Sequence, residues 1–282
     1  MGGPRQVREQ KNVIIKPSRG WSFPDMKEVW DYRELLYFFA WKDIKVRYKQ
    51  TVLGASWAVI QPFFTMLIFT IFFGRLAHIP SENLPYPVFS YAALVPWTYF
   101  ANNISSISTS LVSNRGIMEK VYFPRIIVPL ATIVSGLVDF SIAFLVLIVM
   151  MLYYGIFPTM AIIFVPLITL FSIVVALGAG LWLSSLNVLY RDVGYAIPFL
   201  VQFWLFASPI AYPSTLVPAR WRPIYGINPM TGVVEGFRWA LLGAGEGLDP
   251  VGLTVSVIIV LIMLITGLMF FRRNERMFID IA

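Results

Sequence analysis

The sequence contains no cysteine and only one histidine, His78, among its 282 residues. The absence of thiols excludes disulfide bonds, thiolate nucleophiles and cysteine-based zinc sites. A single histidine cannot build a His/Cys metal centre, and no Ser/His/Asp set suited to nucleophilic catalysis is apparent. We therefore expect no catalytic residues, no metal site and no cofactor in this chain.

The sequence also lacks a phosphate-binding loop of the form G-x-x-x-x-G-K-[ST]. Gly243, Gly245 and Gly247 resemble a nucleotide-binding loop only superficially, because no predicted strand precedes them. We therefore predict that the isolated chain neither binds nor hydrolyses ATP. Saturable nucleotide binding by the purified subunit alone would contradict this prediction.

Charged residues are scarce, at 13% of the chain, whereas 58% of residues are hydrophobic and the mean hydropathy is +0.72. Soluble domains are usually nearer half apolar. Aromatic residues make up 16%, and Trp and Tyr favour membrane interfaces. The composition predicts an all-α integral membrane protein without a nucleic-acid partner, which would need a soluble basic domain.

Six segments are apolar and long enough to be membrane spans, which need about 20 residues each. They are residues 52–73, 87–110, 126–153, 160–187, 196–212 and 251–271. The fifth carries Pro198 and Pro209, whose freed backbone groups must find other partners within a membrane. We divide the chain into a cytosolic arm (1–29), an interfacial helix (30–50), a six-span domain (51–271) and a cytosolic tail (272–282).

The distribution of basic residues predicts the orientation. With both termini in the cytosol, the cytosolic segments hold 18 of the 22 Lys and Arg residues. The outer loops hold only Arg75, Arg220, Arg222 and Arg238. Because cytosolic loops are enriched in basic residues, six spans with both ends cytosolic is the consistent topology.

The outer connection between residues 213 and 250 contains an apolar segment too short to cross a bilayer. Asn228 and Pro229 predict a helix start, with Asn as the cap and Pro at the first position, and Gly243 predicts its end. Phe237, Trp239 and their apolar neighbours favour a re-entrant helix in the outer leaflet. A helix lying on the membrane surface is the alternative.

An aromatic stripe precedes the first span, with Tyr37, Trp41, Ile44 and Tyr48 on one face of a predicted helix. Basic side chains flank this stripe; they are Lys42, Lys45, Arg47 and Lys49. The pattern is typical of an amphipathic interfacial helix. It predicts either an anchor for anionic lipid or a gate whose basic groups, above all the Arg47 guanidinium, bind a lipid diphosphate.

Apolar residues also occur in the cytosolic loop at 114–125. Ile117 with Val121 and Met118 with Tyr122 form i, i+4 pairs on a short predicted helix that ends at Pro124. Such residues need a partner, which is either another protein or the membrane surface.

Three of the spans carry unusual residues. The second half of span two is polar, which indicates helix association or a wet path. Asp139, the one acid deep in a span, favours structural hydrogen bonding over a proton relay. Gly178 and Gly180 in span four indicate close helix packing.

Three blocks of sequence, in order, resemble ABC type-2 permeases that export O-antigen, teichoic acid and capsular polysaccharide. The blocks are Asp43 to Gly54 with Trp57 and Pro62, Lys120 to Arg125, and Asn228 to Trp239. The resemblance covers the chain from about residue 30 to its end. It implies a homodimer that binds two cytosolic ATPase subunits, which hold the ATP and Mg, and that moves a polysaccharide linked to undecaprenyl diphosphate.

The resemblance also implies site residues. It makes the helix before span one an inner gate at the lipid headgroup and the 114–123 segment a coupling helix on the ATPase, with Arg191-Asp192 in a second contact loop. It makes the 228–242 segment part of an outer gate, including Asn228, Pro229, Glu235, Phe237, Arg238 and Trp239. Residues expected along the translocation path, where rings stack on sugars, are Trp57, Tyr91, Trp97, Tyr99, Phe100, Asn102 and Trp204.

Two alternatives remain at this stage. A secondary transporter would need coupling-ion sites near the bilayer midplane, for which Asp139 and the fifth span are slight indications. A membrane transferase acting on lipid-linked sugars would need acid and base residues near the interface, for which Arg191-Asp192 alone is thin support. Copurification with an ATPase separates the exporter from both.

Overall fold

The computed structural model describes residues 26–49, 54–244, 249–275 and 278. Most of the predicted N-terminal arm, Gly245, Gly247 and most of the last residues of the tail lie outside this part of the chain. The described residues contain eleven α-helices. They are α1 (Met26–Asp31), α2 (Arg33–Lys49), α3 (Trp57–Phe69), α4 (Tyr86–Ser113), α5 (Arg115–Met118), α6 (Ile127–Tyr153), α7 (Val165–Leu189), α8 (Asp192–Ala207), α9 (Arg222–Tyr225), α10 (Pro229–Leu242) and α11 (Pro250–Asn274).

Four helical segments of the described chain are long and apolar enough to cross a membrane. They are Trp57–Leu76, in which a π-helix continues α3, and Ile127–Tyr153, Met160–Leu189 and Pro250–Asn274. The other two predicted spans are also helical. Helix α4 is long enough, at roughly 42 Å, but polar residues lower its hydropathy, and α8 is shorter, at roughly 24 Å.

The fifth predicted span, 196–212, differs from the structure. Helix α8 begins earlier, at Asp192, and ends at Ala207. Ser208 has an extended backbone, with ψ 150°, because a residue before proline is disfavoured in the helical region and Pro209 follows it. The prediction missed this end because the apolar run continues past the proline.

Helix α4 is the central element of the bundle and packs against α3, α6, α7 and α10. Its first half is buried almost completely, including Phe89, Tyr91 and Phe100. Helix α10 inserts between α4 and α7, and its side chains Val233 and Phe237 are fully buried. Helix α10 is therefore part of the packed bundle.

Helices α7 and α11 approach each other closely at glycine positions, as the sequence predicted for Gly178. A Cβ atom at Gly178 would lie 3.1 Å from the backbone nitrogen of Leu264. A Cβ at Gly267 would lie only 2.8 Å from the carbonyl oxygen of Gly178. Small residues permit such contacts between membrane helices, so larger side chains at either position would separate α7 from α11.

The loops and helix ends gather at two ends of the bundle. At the first, which we call the basic end, Tyr122 donates to Glu28 (3.4 Å) and the Arg125 amide donates to Glu275 (3.3 Å). At the opposite end, which we call the α10 end, the Tyr86 hydroxyl donates to the Ala211 carbonyl (2.5 Å). Glu28 of the predicted arm, the loop at 114–125 and Glu275 of the predicted tail therefore lie together at one end.

Candidate functional site

Helix α2 lies alongside α6 and buries a face different from the aromatic stripe. Phe39 and Ala40 are buried, and the Phe39 ring lies 5.5 Å from the Phe123 ring. Tyr37 and Trp41, by contrast, are 69% and 46% exposed. The predicted stripe therefore leaves its first two rings available to lipid or another molecule while the neighbouring face anchors the helix.

The last turn of α2 is joined to the middle of α6 by Asp139. The Arg47 guanidinium forms an ion pair with the Asp139 carboxylate, and the Tyr48 hydroxyl donates a hydrogen bond to the same group. Asp139 thus has the structural role that the sequence favoured. Its basic partner is Arg47, which lies 92 residues earlier in the chain; such a long-range partner leaves no signal in local sequence.

The lysines of α2 differ in their surroundings. Lys42 donates to the Asn114 side chain at 2.5 Å and lies 3.6 Å from Asp43. Lys45 lies 5.4 Å from the centre of the Trp41 ring, and Lys49 is exposed at the helix end. Burial raises the pKa of the Asp43 carboxyl, whereas the charge of Lys42 opposes this shift.

The loop at 114–125 differs from the predicted 114–123 helix. Helix α5 has only four residues and ends at Met118, followed by one more helical hydrogen bond, from the Val121 amide to Ile117 (3.1 Å). The chain then turns, and the Phe123 side chain is buried in the core beside Phe39.

Only part of the predicted coupling set is accessible. Val121 and Tyr122 are 54% and 51% exposed, whereas Met118 is buried and Ile117 is partly buried. Partial burial and the negative charge of Glu28 raise the pKa of the Tyr122 hydroxyl. The exposed apolar surface at this loop is therefore provided by Val121 and Tyr122.

Arg191 and Asp192 are both exposed and lie where α7 ends and α8 begins. This position belongs to the basic end, because Asn187 near the end of α7 donates to the Ser108 carbonyl near the end of α4 (2.9 Å). The two predicted contact loops, at 114–125 and 190–192, therefore share one end of the bundle.

The residues predicted along a translocation path are divided by the structure. Tyr91, Trp97, Tyr99 and Phe100 are buried inside the subunit, and of these four Tyr99 lines a small cavity. The Phe100 ring packs on the Trp204 ring, with centres 4.9 Å apart. The sequence could not distinguish buried aromatic side chains from exposed ones, because α4 is buried on nearly all of its faces.

Trp57 and Asn102 are the exposed members of the predicted path. Both line a small cavity that also contains the Arg47–Asp139 pair and Gln61. This cavity brings residues of the predicted inner gate and of the predicted path to one place, although they come from four separate helices.

Helix α10 begins and ends where the sequence predicted. The Asn228 side chain accepts a hydrogen bond from the Met230 amide (3.0 Å), Pro229 occupies the first position, and Gly243 ends the helix with φ +63°. Asn228 also accepts from the Trp204 indole (2.7 Å) and donates to the Ala207 carbonyl (3.1 Å). Asn228 therefore caps α10 and connects the start of α10 to the end of α8 through hydrogen bonds.

Arg238 supplies the partners that the interrupted backbone after α8 requires. Arg238 is 3% exposed, and its guanidinium donates to the carbonyls of Pro209 (2.6 Å) and Ile210 (2.7 Å). It also donates to the Phe89 carbonyl (3.2 Å) and lies 3.6 Å from the centre of the Phe89 ring. A buried charge is stable only with such partners, so Arg238 is a structural centre of the predicted outer gate.

The remaining outer-gate residues occupy three different environments. Phe237 is buried in the core, and the Trp239 ring packs against the Phe164 ring with centres 5.6 Å apart. Glu235 lines a cavity beside α10. Among the described residues, no group of three or more His, Cys, Asp or Glu could hold a metal ion.

Comparison with known proteins identifies several relatives of this chain. The O-antigen export system permease protein RfbA of Myxococcus xanthus is 27% identical over 216 residues, 76% of this chain and 82% of that protein. RfbA of Klebsiella pneumoniae is 26% identical over 88% of this chain and 95% of that protein. The polysialic acid transport protein KpsM of Escherichia coli is 26% identical over 83% and 91%.

The match to a protein family covers most of the bundle. The family described as ABC-2 type transporter matches residues 34–242, which include α2, the loop at 114–125 and α10. The matched region is more than half of the 282-residue chain. This membrane protein therefore belongs to the ABC-2 type transporter family.

Proposed function

We propose that this chain is the membrane-spanning subunit of an ATP-driven exporter of a lipid-linked polysaccharide such as O-antigen. The observation that carries the proposal is the match to named O-antigen and polysialic acid transport proteins over more than four fifths of their length. Undecaprenyl diphosphate is the proposed lipid carrier. ATP and Mg are bound by the partner ATPase, and this chain needs no cofactor of its own.

The proposed arrangement is a homodimer with two cytosolic ATPase subunits in the inner membrane of a bacterial cell. Each subunit has six spans, four of which meet the length and hydropathy of a membrane helix, with α4 and α8 as the others. Both termini, the arm and the tail are cytosolic. Support for this orientation is the position of Arg115, Lys120, Arg191 and Arg272 at the basic end.

The proposal is tested by reconstitution. The subunit is purified with its cognate ATPase and placed in proteoliposomes with a polysaccharide linked to undecaprenyl diphosphate. We expect ATP-dependent movement of the polysaccharide across the membrane, and none with an ATPase unable to hydrolyse ATP. Movement driven by an ion gradient without ATP would favour a secondary transporter, and transfer of sugar to an acceptor would favour a transferase.

The exposed part of the loop at 114–125 is the proposed contact with the ATPase, together with Arg191 and Asp192. Burying a side chain the size of valine contributes about 1.5 kcal/mol, which corresponds to roughly a tenfold change in affinity. We therefore expect Val121→Glu to reduce copurification of the ATPase at least about tenfold. The measurement is the ratio of the two subunits after affinity purification.

The matched control is Leu216→Glu, which places the same charge on a residue that is also half exposed (51%) but lies at the α10 end. This variant should retain the ATPase. Normal assembly and export by Val121→Glu would contradict the coupling role and make the loop a membrane-surface element.

For the inner gate, we propose that the basic residues of α2 bind the diphosphate of the lipid carrier. The exposed rings Tyr37 and Trp41 lie next to Lys42 and Lys45 on this helix, a combination suited to the headgroup region. Trp57 and Asn102, near the Arg47–Asp139 pair, are proposed to face the path beyond the gate. Helix α10 is the proposed outer gate.

A further inference from the structure

A polar cavity of about 240 Å³ lies beside α10 at the α10 end. Its lining combines three carboxylates, two guanidinium groups and several hydroxyls. The charged residues are Glu82, Glu235, Asp249, Arg222 and Arg238. A cavity with both signs of charge suits a ligand that itself carries both signs.

One carboxylate in this cavity lacks a partner. The Oε1 atom of Glu235 is buried and accepts no hydrogen bond from any residue that the structure describes. Arg238 does not fill this need, because its hydrogen bonds go to backbone carbonyls such as those of Pro209 and Ile210. A buried acceptor without a donor is costly, so Glu235 indicates a ligand that donates a hydrogen bond.

An apolar groove of about 520 Å³ adjoins the cavity across α10. The groove and the cavity share Gly232, Trp239 and Leu253 as lining residues. Its walls come from α7 and α11, and Leu167 and Leu261 on these walls are 61% and 50% exposed. At Gly232, α10 packs closely on α11, since a Cβ atom there would lie 3.5 Å from the Ser256 hydroxyl and 3.6 Å from the Leu253 side chain.

The groove has the depth of one bilayer leaflet. It extends along α7 as far as Val174 and along α11 as far as Leu261. Each lies about ten residues from the start of its helix, or roughly 15 Å, which is about half of the 30 Å hydrocarbon core. Both helices are apolar enough to cross a membrane, so the groove faces acyl chains.

We propose that the groove and the cavity together bind one zwitterionic phospholipid with a primary ammonium group, such as phosphatidylethanolamine. An acyl chain occupies the groove, the ammonium donates to Glu235, and Arg222 pairs with the phosphate. The proposal rests on the proposed function only for the choice of the outer leaflet. Binding here would couple the position of α10, the proposed outer gate, to the lipid beside it.

The test is lipid retention by the full-length protein, measured by native mass spectrometry after extraction from vesicles. The vesicles contain equal amounts of phosphatidylethanolamine, phosphatidylcholine and phosphatidylglycerol. We expect the wild type to retain phosphatidylethanolamine roughly tenfold over phosphatidylcholine, because a choline group has no N–H to donate to Glu235. Equal retention of all three lipids would overturn the proposal.

Two pairs of variants separate the headgroup from the chain. Glu235→Gln should abolish the preference for phosphatidylethanolamine, while Glu119→Gln at the basic end should keep it. Leu261→Trp fills the groove and should reduce bound lipid, while Ile258→Trp, on the same helix and 51% exposed outside the groove, should not.

Unchanged lipid retention in Glu235→Gln or Leu261→Trp would overturn the proposal. Loss of dimer in Leu261→Trp with lipid retention intact would instead assign the groove to a second copy of the chain. None of these readouts requires export or ATP hydrolysis, so a failure here is distinguishable from failure of the proposed function.

Discussion

Replacing Arg238 by methionine is expected to lower the thermal stability of the protein more than any other single change at the α10 end. Arg238→Met keeps much of the apolar stem but leaves the carbonyls of Pro209 and Ile210 without their donor. Each buried unsatisfied group costs about 1–3 kcal/mol. We expect the melting midpoint, measured by size-exclusion chromatography after heating, to fall by roughly 10 °C.

Two further variants are compared with Arg238→Met. Arg238→Lys keeps the charge but offers one point donor in place of a planar fork, so its midpoint should lie between those of the wild type and Arg238→Met. Arg220→Met removes an exposed arginine near Trp221 and should leave the midpoint unchanged. A wild-type midpoint for Arg238→Met would show that the interrupted backbone after α8 does not depend on this guanidinium.

Helix α10 illustrates what local sequence can predict. Its start and end are set by Asn228, Pro229 and Gly243, each of which acts on the backbone within a few residues of itself. Capping is therefore visible in the sequence without knowledge of the fold. The long apolar spans are predictable for a similar reason, since length and composition alone decide whether a helix can cross a bilayer.

The same sequence could not reveal which side chains meet across the bundle. Arg238 looked like one of four outer basic residues, yet it is buried and bound to carbonyls of a segment almost 30 residues earlier. The path residue Tyr91 looked like a candidate for stacking on sugars, yet its ring is fully buried. Such outcomes depend on how helices pack, which no local pattern encodes.

The Arg47–Asp139 pair is the contact whose loss should most affect the proposed inner gate. Removing one member of a buried ion pair costs about 3–5 kcal/mol. This figure is an upper bound here, because the Arg47 side chain is 34% exposed. We expect Asp139→Asn to detach the end of α2 from α6 and to reduce export at least about tenfold, a loss of 1.4 kcal/mol or more.

A charge swap distinguishes the ion pair from the separate roles of its members. The double variant Arg47→Asp with Asp139→Arg restores one pair of opposite charges at the same place and should recover more stability than either single variant retains. Tyr48→Phe removes a single hydrogen bond to the Asp139 carboxylate and should cost about 1.5–3 kcal/mol, less than loss of the ion pair. Recovery no better than the single variants would mean that the charges are not coupled.

Arg47→Lys then separates anchoring from recognition of the lipid diphosphate. A lysine keeps the charge that pairs with Asp139, so the thermal stability should remain close to that of the wild type. An ammonium cannot make the paired hydrogen bonds to phosphate that a guanidinium makes, so export by the reconstituted complex should still fall. Lys49→Gln, a charge loss at the exposed helix end, is the control for attraction to anionic lipid, which is worth about 1 kcal/mol per basic residue and is screened by salt. Normal export by Arg47→Lys would contradict recognition of the diphosphate. Equal losses of export in both variants, rescued by more anionic lipid, would contradict it as well. In either case α2 acts as an anchor, and the role of Arg47 is to pair with Asp139.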